Sequence, residues 1–159
     1  ILDFGKSREA LRKTLPLGEI FEDVALLVRL KLEQSQVVLE IKDISHDLLV
    51  FVDKGQLQQA LLNLILNGLV AMPEGGRLVI ETLLPGEGKV QILVKDTGSG
   101  IPEEFLEKIF DSFLSARTGG TGLGLAISKR ILRAHDGDLE LVESSPNGTV
   151  FRLTLPLFT

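Results

Sequence analysis

The sequence predicts an α+β fold, a two-layer sandwich in which a mixed, mostly antiparallel sheet of about five strands packs on three helices. Three observations predict it. Helical stretches run from Leu17 to about Gln34, from Lys54 to about Met72 and from the Gly122 region to about Ala134. Between them lie short alternating or β-branched runs bounded by Gly, Pro, Asn and Asp. A content of 44% hydrophobic and 25% charged residues over 159 positions suits one domain with a real core, rather than a disordered chain or two domains.

The elements follow in order. Ile1 to Leu15 reads as the tail of a charged helix (Lys6, Arg8, Glu9, Arg12, Lys13) that Pro16 helps to end, a connector from an upstream domain. From Leu17, the residues Ile20, Val24, Leu27, Val28 and Leu32 keep helical spacing on one face. Val37 to Ile44 and Leu48 to Val52 read as a strand pair with His46-Asp47 as its turn. Asp53 is the expected N-cap of the helix that starts at Lys54, and Pro73 with Gly75-Gly76 stops that helix. Arg77 to Leu83 and Lys89 to Lys95 form a hairpin around Pro85-Gly86-Glu87-Gly88. Pro102 and the acidic pair Glu103-Glu104 start a short helical piece. After the last helix, Asp138 to Val142 and Thr149 to Leu155 flank the turn Pro146-Asn147-Gly148.

Composition excludes several classes of function. A net charge of −5 without a long Lys/Arg block argues against a nucleic-acid surface. With no cysteine there is no disulfide, thiol nucleophile or cysteine zinc site. Two histidines, His46 and His135, lie too far apart in sequence to suggest a histidine metal centre, and both read as surface or structural. At a helix end His135 sits where a partial positive charge suits the dipole. No apolar run reaches the roughly 18 residues of a membrane span. The chain starts at Ile1 without initiator Met or signal peptide and is expected to be a piece of a longer protein.

Three short motifs carry chemistry. Gln59, Asn63 and Asn67 fall four apart, so they line one stripe of an otherwise apolar helix. An unpaired amide there costs about 1–3 kcal/mol, and a hydrated magnesium ion, which takes one or two protein oxygens and fills the rest with water and phosphate, would satisfy them. Asp96 comes at the end of the run Val90 to Lys95, and Gly98 and Gly100 let backbone approach a flat ligand. A carboxylate there accepts from an exocyclic amine, which favours adenine over guanine. Gly120-Thr121-Gly122-Leu123-Gly124-Leu125 exposes successive backbone N–H groups where a helix opens, a site for anions. It is neither a Walker loop, lacking Gly-Lys-Ser/Thr, nor the dinucleotide fingerprint, having G-x-G-x-G spacing with no strand leading in. Thr121 adds a hydroxyl and Arg117 a positive charge for terminal phosphates. In this order the three motifs describe a pocket for ATP with a metal ion.

Their order and content resemble the ATP-binding catalytic domain of bacterial sensor histidine kinases, within the superfamily shared with DNA gyrase, mismatch-repair ATPases and the large ATP-dependent chaperone. The resemblance covers Pro16 to Pro156. Gln58-Gln59-Ala-Leu-Leu-Asn63-Leu-Ile-Leu-Asn67 resembles the asparagine box, and Asp96 to Ile101 the adenine-binding glycine box. Ile109-Phe110-Asp-Ser-Phe113 resembles the phenylalanine box and Gly120 to Leu125 the second glycine box. Gly148-Thr149-Val-Phe151 with Leu155-Pro156 resembles the closing strand, and Ile1-Leu2-Asp3-Phe4 the end of a preceding dimerisation helix.

The resemblance implies a division into 1–15, the end of that helix and a linker, and 16–159, the catalytic domain. It implies that Asn67 coordinates magnesium with support from Asn63, and that Asp96 accepts from the adenine amine with Thr149 holding a water beside it. It implies that Gly98 and Gly100 admit the purine, that Gly120 to Gly124 cradle phosphates, and that Ile101 to Thr121 forms a lid over ATP. Partners implied are the dimerisation and phosphoacceptor domain of the same protein and a response regulator. The piece alone would be a monomer and its parent a homodimer. A cytoplasmic place is implied, the parent being of a kind that is in some cases membrane-anchored.

Ser112 stands where the family has proline, Leu114 where a second aromatic is common, Arg117 for lysine, and Val70 where many relatives place a basic residue. ATP-hydrolysing branches carry glutamate at the place of Asn63; an amide cannot serve as general base at neutral pH. The expected function is therefore a protein-histidine kinase that holds ATP until its acceptor arrives. The rivals are a nucleotide-sensing module without transfer and an ATPase of the same superfamily.

Overall fold

A computed structural model describes residues 11–42, 48–111 and 124–158. A short first strand β1 (Lys13–Pro16) leads into α1 (Leu17–Ser35), β2 (Val37–Lys42), β3 (Leu49–Val52) and α2 (Lys54–Val70). Then come β4 (Gly76–Gly86), β5 (Lys89–Asp96), a 3₁₀ helix (Glu103–Lys108), α3 (Gly124–Ala134), β6 (Asp138–Ser145) and β7 (Gly148–Pro156). Five strands form one sheet in the order β2-β4-β5-β7-β6. Only β2–β4 is parallel, and α2 lies in the connection between those two strands, as a parallel pair requires. The α+β sandwich expected from the sequence is the observed architecture.

The core is the interface between the helices and one face of the sheet. Ile20, Phe21, Val24 and Val28 of α1 and Leu57, Leu61, Leu64 and Ile65 of α2 are buried, with Leu78, Ile80, Ile92, Val94, Phe151 and Leu153 on alternate strand positions beneath them. Each such side chain contributes about 1.5–3 kcal/mol of burial. Asp53 caps α2 as its position predicts, its carboxylate accepting from the N–H of Gln56 at 3.1 Å.

Two local expectations are corrected. Lys13–Pro16 is a strand, not the end of a charged helix, and pairs antiparallel with β3 from Lys13↔Val52 to Pro16↔Leu49. Pro16 holds the residue before it extended, which suits a strand as well as a helix stop. Residues 1–10 of the expected helix lie outside the described residues. Nor do β2 and β3 pair with each other: β2 lies along β4 in the large sheet, while β3 belongs with β1 to a two-stranded sheet. The expected turn at His46-Asp47 lies outside the described residues. Among the described residues no helix is long and apolar enough to cross a membrane.

Candidate functional site

Two of the predicted site residues meet where β5 ends and β7 begins. Asp96, last of β5, is the register partner of Thr149 in β7, and both side chains face the helices. The N–H of Gly98 donates to Asp96 Oδ1 at 2.8 Å. Burial holds the Asp96 carboxyl above the usual carboxylate range, against the opposing pull of the backbone N–H groups of Gly98 and Thr149. A half-buried carboxylate that keeps accepting capacity beyond those two bonds is suited to a hydrogen-bond donor from outside the fold.

Asn67 lies one residue before Gly68, and Gly68 faces the same carboxylate. A Cβ on Gly68 would meet Asp96 Oδ2 at 3.5 Å and Leu78 Cδ2 at 3.2 Å. One turn earlier, the Asn63 amide donates its Nδ2–H to the carbonyl of Gly124, first residue of α3, at 3.3 Å. With Nδ2 so used, Oδ1 of Asn63 remains an acceptor. The stripe Gln59, Asn63 and Asn67 is half-buried, as its spacing predicts. Leu125, next in α3, packs against the core. Asparagine helix, glycine-box helix and Asp96 strand thus converge on one end of the sandwich.

The glycines of the loop after Asp96 have a packing role that the sequence did not show. A Cβ at Gly98 would lie 2.7 Å from both Cβ and the carbonyl oxygen of Ala71, and Ser99 N–H donates to that same carbonyl at 3.1 Å. Gly100 has φ +83°, and a Cβ there would overlap the carbonyl oxygen of Ser145. Gly100→Ala is expected to lower the melting temperature by at least about 4 °C, because left-handed backbone and the overlap both oppose a side chain. An unchanged thermal melt would show that the loop seats elsewhere.

Ser144 escaped the sequence reading. Its Oγ accepts the N–H of Ile101 at 2.8 Å and lies 3.0 Å from Thr149 Oγ1, joining the residue after the glycine box to the buried threonine beside Asp96. A bulge in β6 between Leu141 and Glu143 brings Ser144 opposite Thr149, and strand alternation alone gives no sign of it. At the far side of the loop, Phe110 meets Phe151 edge-on at 6.3 Å and carries Lys129 over its ring at 4.9 Å. It packs the root of the segment on the core. Arg117, Gly120, Thr121, Gly122 and Leu123, with Ser112, Phe113 and Leu114, lie outside the described residues.

His135 is structural rather than on the surface, of the two readings the sequence offered. It is 2% exposed, and both ring nitrogens are hydrogen-bonded inside the fold. A separate open groove at the other end of β5 is lined by Lys89, Gln91, Asp138, Glu140 and Thr154 and shares none of the residues just described.

A sandwich that brings a buried-edge carboxylate, an asparagine stripe and a glycine-opened helix to one end defines a nucleotide-binding domain. The family of histidine kinase-, DNA gyrase B- and HSP90-like ATPases matches residues 52–159, and the chain belongs to it. Within that family it is the catalytic ATP-binding domain of a sensor histidine kinase type. It is 39% identical to sporulation kinase C of Bacillus subtilis over 99% of the chain and 37% of that protein. It is 32% identical to the signal transduction histidine-protein kinase AtoS of Escherichia coli over 99% of the chain and 26% of that protein. The chain therefore spans well under half the length of these relatives. The catalytic domain of histidine kinase ThkA superposes with a TM-score of 0.78 at 33% identity, over 91% of this chain and 95% of that one. Full-length ShkA in complex with AMPPNP superposes at 0.84 with 26% identity, over 97% of this chain and 33% of that one.

Proposed function

We propose that this domain binds magnesium-ATP and donates the γ-phosphoryl group to a histidine on a separate dimerisation domain of the same protein. The observation that carries this reading is the Asn63–Gly124 bond, which ties the asparagine helix to the opening of the glycine-box helix on the Asp96 side. A carboxylate at position 63 would face the Gly124 carbonyl with a second acceptor. The amide suits this contact and supplies no general base for water.

The donor set fits magnesium. Amide oxygens of Asn67 and Asn63, completed by phosphate and water, are the hard oxygen ligands that magnesium accepts. When bound, the ion neutralises phosphate charge. Asp96 receives the adenine amine, Thr149 holds a water beside it, and Gly98, Gly100 and Ile101 shape the loop over the base. Gly120 to Gly124, with Leu123 and Leu125 in the same box, present N–H groups at the start of α3 to the phosphates. Arg117 adds positive charge, and the segment 101–121 covers the nucleotide. The acceptor imidazole nitrogen attacks the γ-phosphorus, the bond to the bridging oxygen breaks, and ADP leaves with that electron pair. Positioning and charge neutralisation do most of the work.

Residues before β1 connect to the dimerisation and phosphoacceptor domain, and the phosphoryl group passes on to a response regulator. Histidine kinase ThkA has been solved in complex with the response regulator protein TrrA, and this chain superposes on it with a TM-score of 0.81 at 29% identity, over 98% of this chain and 44% of that one. The domain alone is a monomer, its parent a homodimer that works in the cytoplasm. Mixing the chain with a matching dimerisation domain and γ-labelled ATP tests the reading. Acid-labile label on the acceptor histidine is expected. ATP binding with no label at any ratio would favour a nucleotide-sensing module, and steady ADP release without acceptor would favour an ATPase.

A further inference from the structure

His135, last-turn neighbour of Ala134 at the end of α3, is fastened at both ring nitrogens. Its Nε2 lies 3.1 Å from the backbone nitrogen of Asp53, and its Nδ1 lies 2.8 Å from the carbonyl oxygen of Ile131. A backbone N–H only donates and a carbonyl only accepts, so Nε2 is the acceptor and Nδ1 carries the proton. The ring therefore ties the first residue of the α2 cap to the tail of α3.

Other bonds join the same two helices. In the middle of the pair, Ser128 Oγ donates to the Ala60 carbonyl at 3.1 Å, and both residues are buried. At the other end stands the Asn63–Gly124 bond. Along α2 the tied residues ascend, 53, 60 and 63, while along α3 they descend, 135, 128 and 124, so the helices run antiparallel with their register pinned at both ends. Eleven residues at 1.5 Å each separate His135 from Gly124, about 16 Å. A slide of α3 by one residue's rise would part Asn63 from Gly124, and the His135 tie opposes that slide from the far end.

We propose that His135 is a positioning residue for the nucleotide site: by holding Asp53 N–H on Nε2 it fixes the register of α3 against α2, and so sets Asn63 against the opening of the glycine-box helix. This rests on the magnesium-ATP reading of that site.

Two amide substitutions separate the ring's two bonds. His135→Asn places its amide near the Nδ1 position, able to serve Ile131 but short of Asp53. His135→Gln reaches the Nε2 position and accepts the Asp53 N–H. Calorimetric titration of the whole chain with ATP and magnesium is expected to leave the Gln variant within about twofold of wild type and the Asn variant about tenfold weaker. Val24→Ala, which opens a cavity beneath α1, a helix that carries none of the site residues, serves as a control that melts lower yet keeps wild-type affinity. Equal affinities of the Asn and Gln variants, or a Val24→Ala loss of affinity matching its drop in melting temperature, would overturn the proposal while leaving the ATP site intact. Wild-type chain that takes up no ATP would instead overturn the reading on which it rests. Should either variant fail to fold, the ¹⁵N spectrum of the wild-type ring decides: the proton belongs on Nδ1, and a ring protonated on Nε2 sinks the idea.

Discussion

Asp96→Asn abolishes ATP binding in the expected experiment, an affinity loss of at least about 100-fold, or about 2.7 kcal/mol. The carboxylate offers acceptors only, whereas the amide can turn a donor toward the donating adenine amine. A charge-assisted bond worth about 1.5–3 kcal/mol is lost, and an unmatched polar group is left at the site. The fold should survive, since the amide oxygen still accepts the Gly98 N–H that Oδ1 now takes at 2.8 Å. Burial holds the carboxyl above its ordinary range, and this sets the sign of the pH effect. The contribution of Asp96 to stability is fully present below the ordinary aspartate value of about 3.9 and is lost as pH rises through the raised one. At pH 7 the ionised side chain therefore works against the apo fold, and the Asn variant should melt no lower than wild type. ATP affinity has the opposite slope, weakening as acid protonates the carboxylate. Thermal melts and titrations at pH 5 and pH 7 check both. A variant that melts far lower would assign the lost binding to unfolding, and one that still binds ATP would remove Asp96 from the base site.

Asn67→Ala should lose the magnesium dependence of ATP binding and at least about 100-fold of phosphoryl transfer, because the ion's hold on the phosphates is worth several kcal/mol in such reactions. Alanine is the better helix former, so α2 itself is not weakened. The diagnostic is a comparison with and without magnesium. Wild type should bind more tightly with the ion, and the variant should bind with the ion no better than wild type without it. Tightening by magnesium that survives in the variant would assign the ligand elsewhere on α2, Asn63 being the next candidate.

What was legible in the sequence was what depends on near neighbours. Asp53 as the cap of α2 and the stripe of Gln59, Asn63 and Asn67 follow from spacing along one helix. The β4–β5 and β6–β7 hairpins follow from turn residues between alternating runs. What escaped depends on partners far along the chain. The parallel alignment of β2 with β4 is made across α2, and the pairing of β1 with β3 joins residues thirty-odd positions apart, so adjacent strands with a turn between them looked like a hairpin. Ser144 was hidden by a bulge that shifts the alternation of β6. The burial of His135 depends on a backbone N–H at Asp53, 82 positions earlier. Gly98 and Gly100 were marked as points of close approach to a flat ligand, and the groups the structure brings close to them are Ala71 and Ser145.

The way the chain enters the domain carries one more consequence. Leu11 N–H donates to Asp53 Oδ2 at 2.9 Å, and the Arg12 guanidinium reaches both the Ala134 carbonyl and, at 3.2 Å, the Asp136 carboxylate. Two successive residues at the doorway are moored to the head of α2 and the tail of α3. From that mooring the path to Asn63 is the ten residues of helix between positions 53 and 63, and it does not pass through the sheet. The mooring therefore bears on the start of a stiff rod whose later turns carry the asparagines, and the sheet is the anvil on which that rod rests.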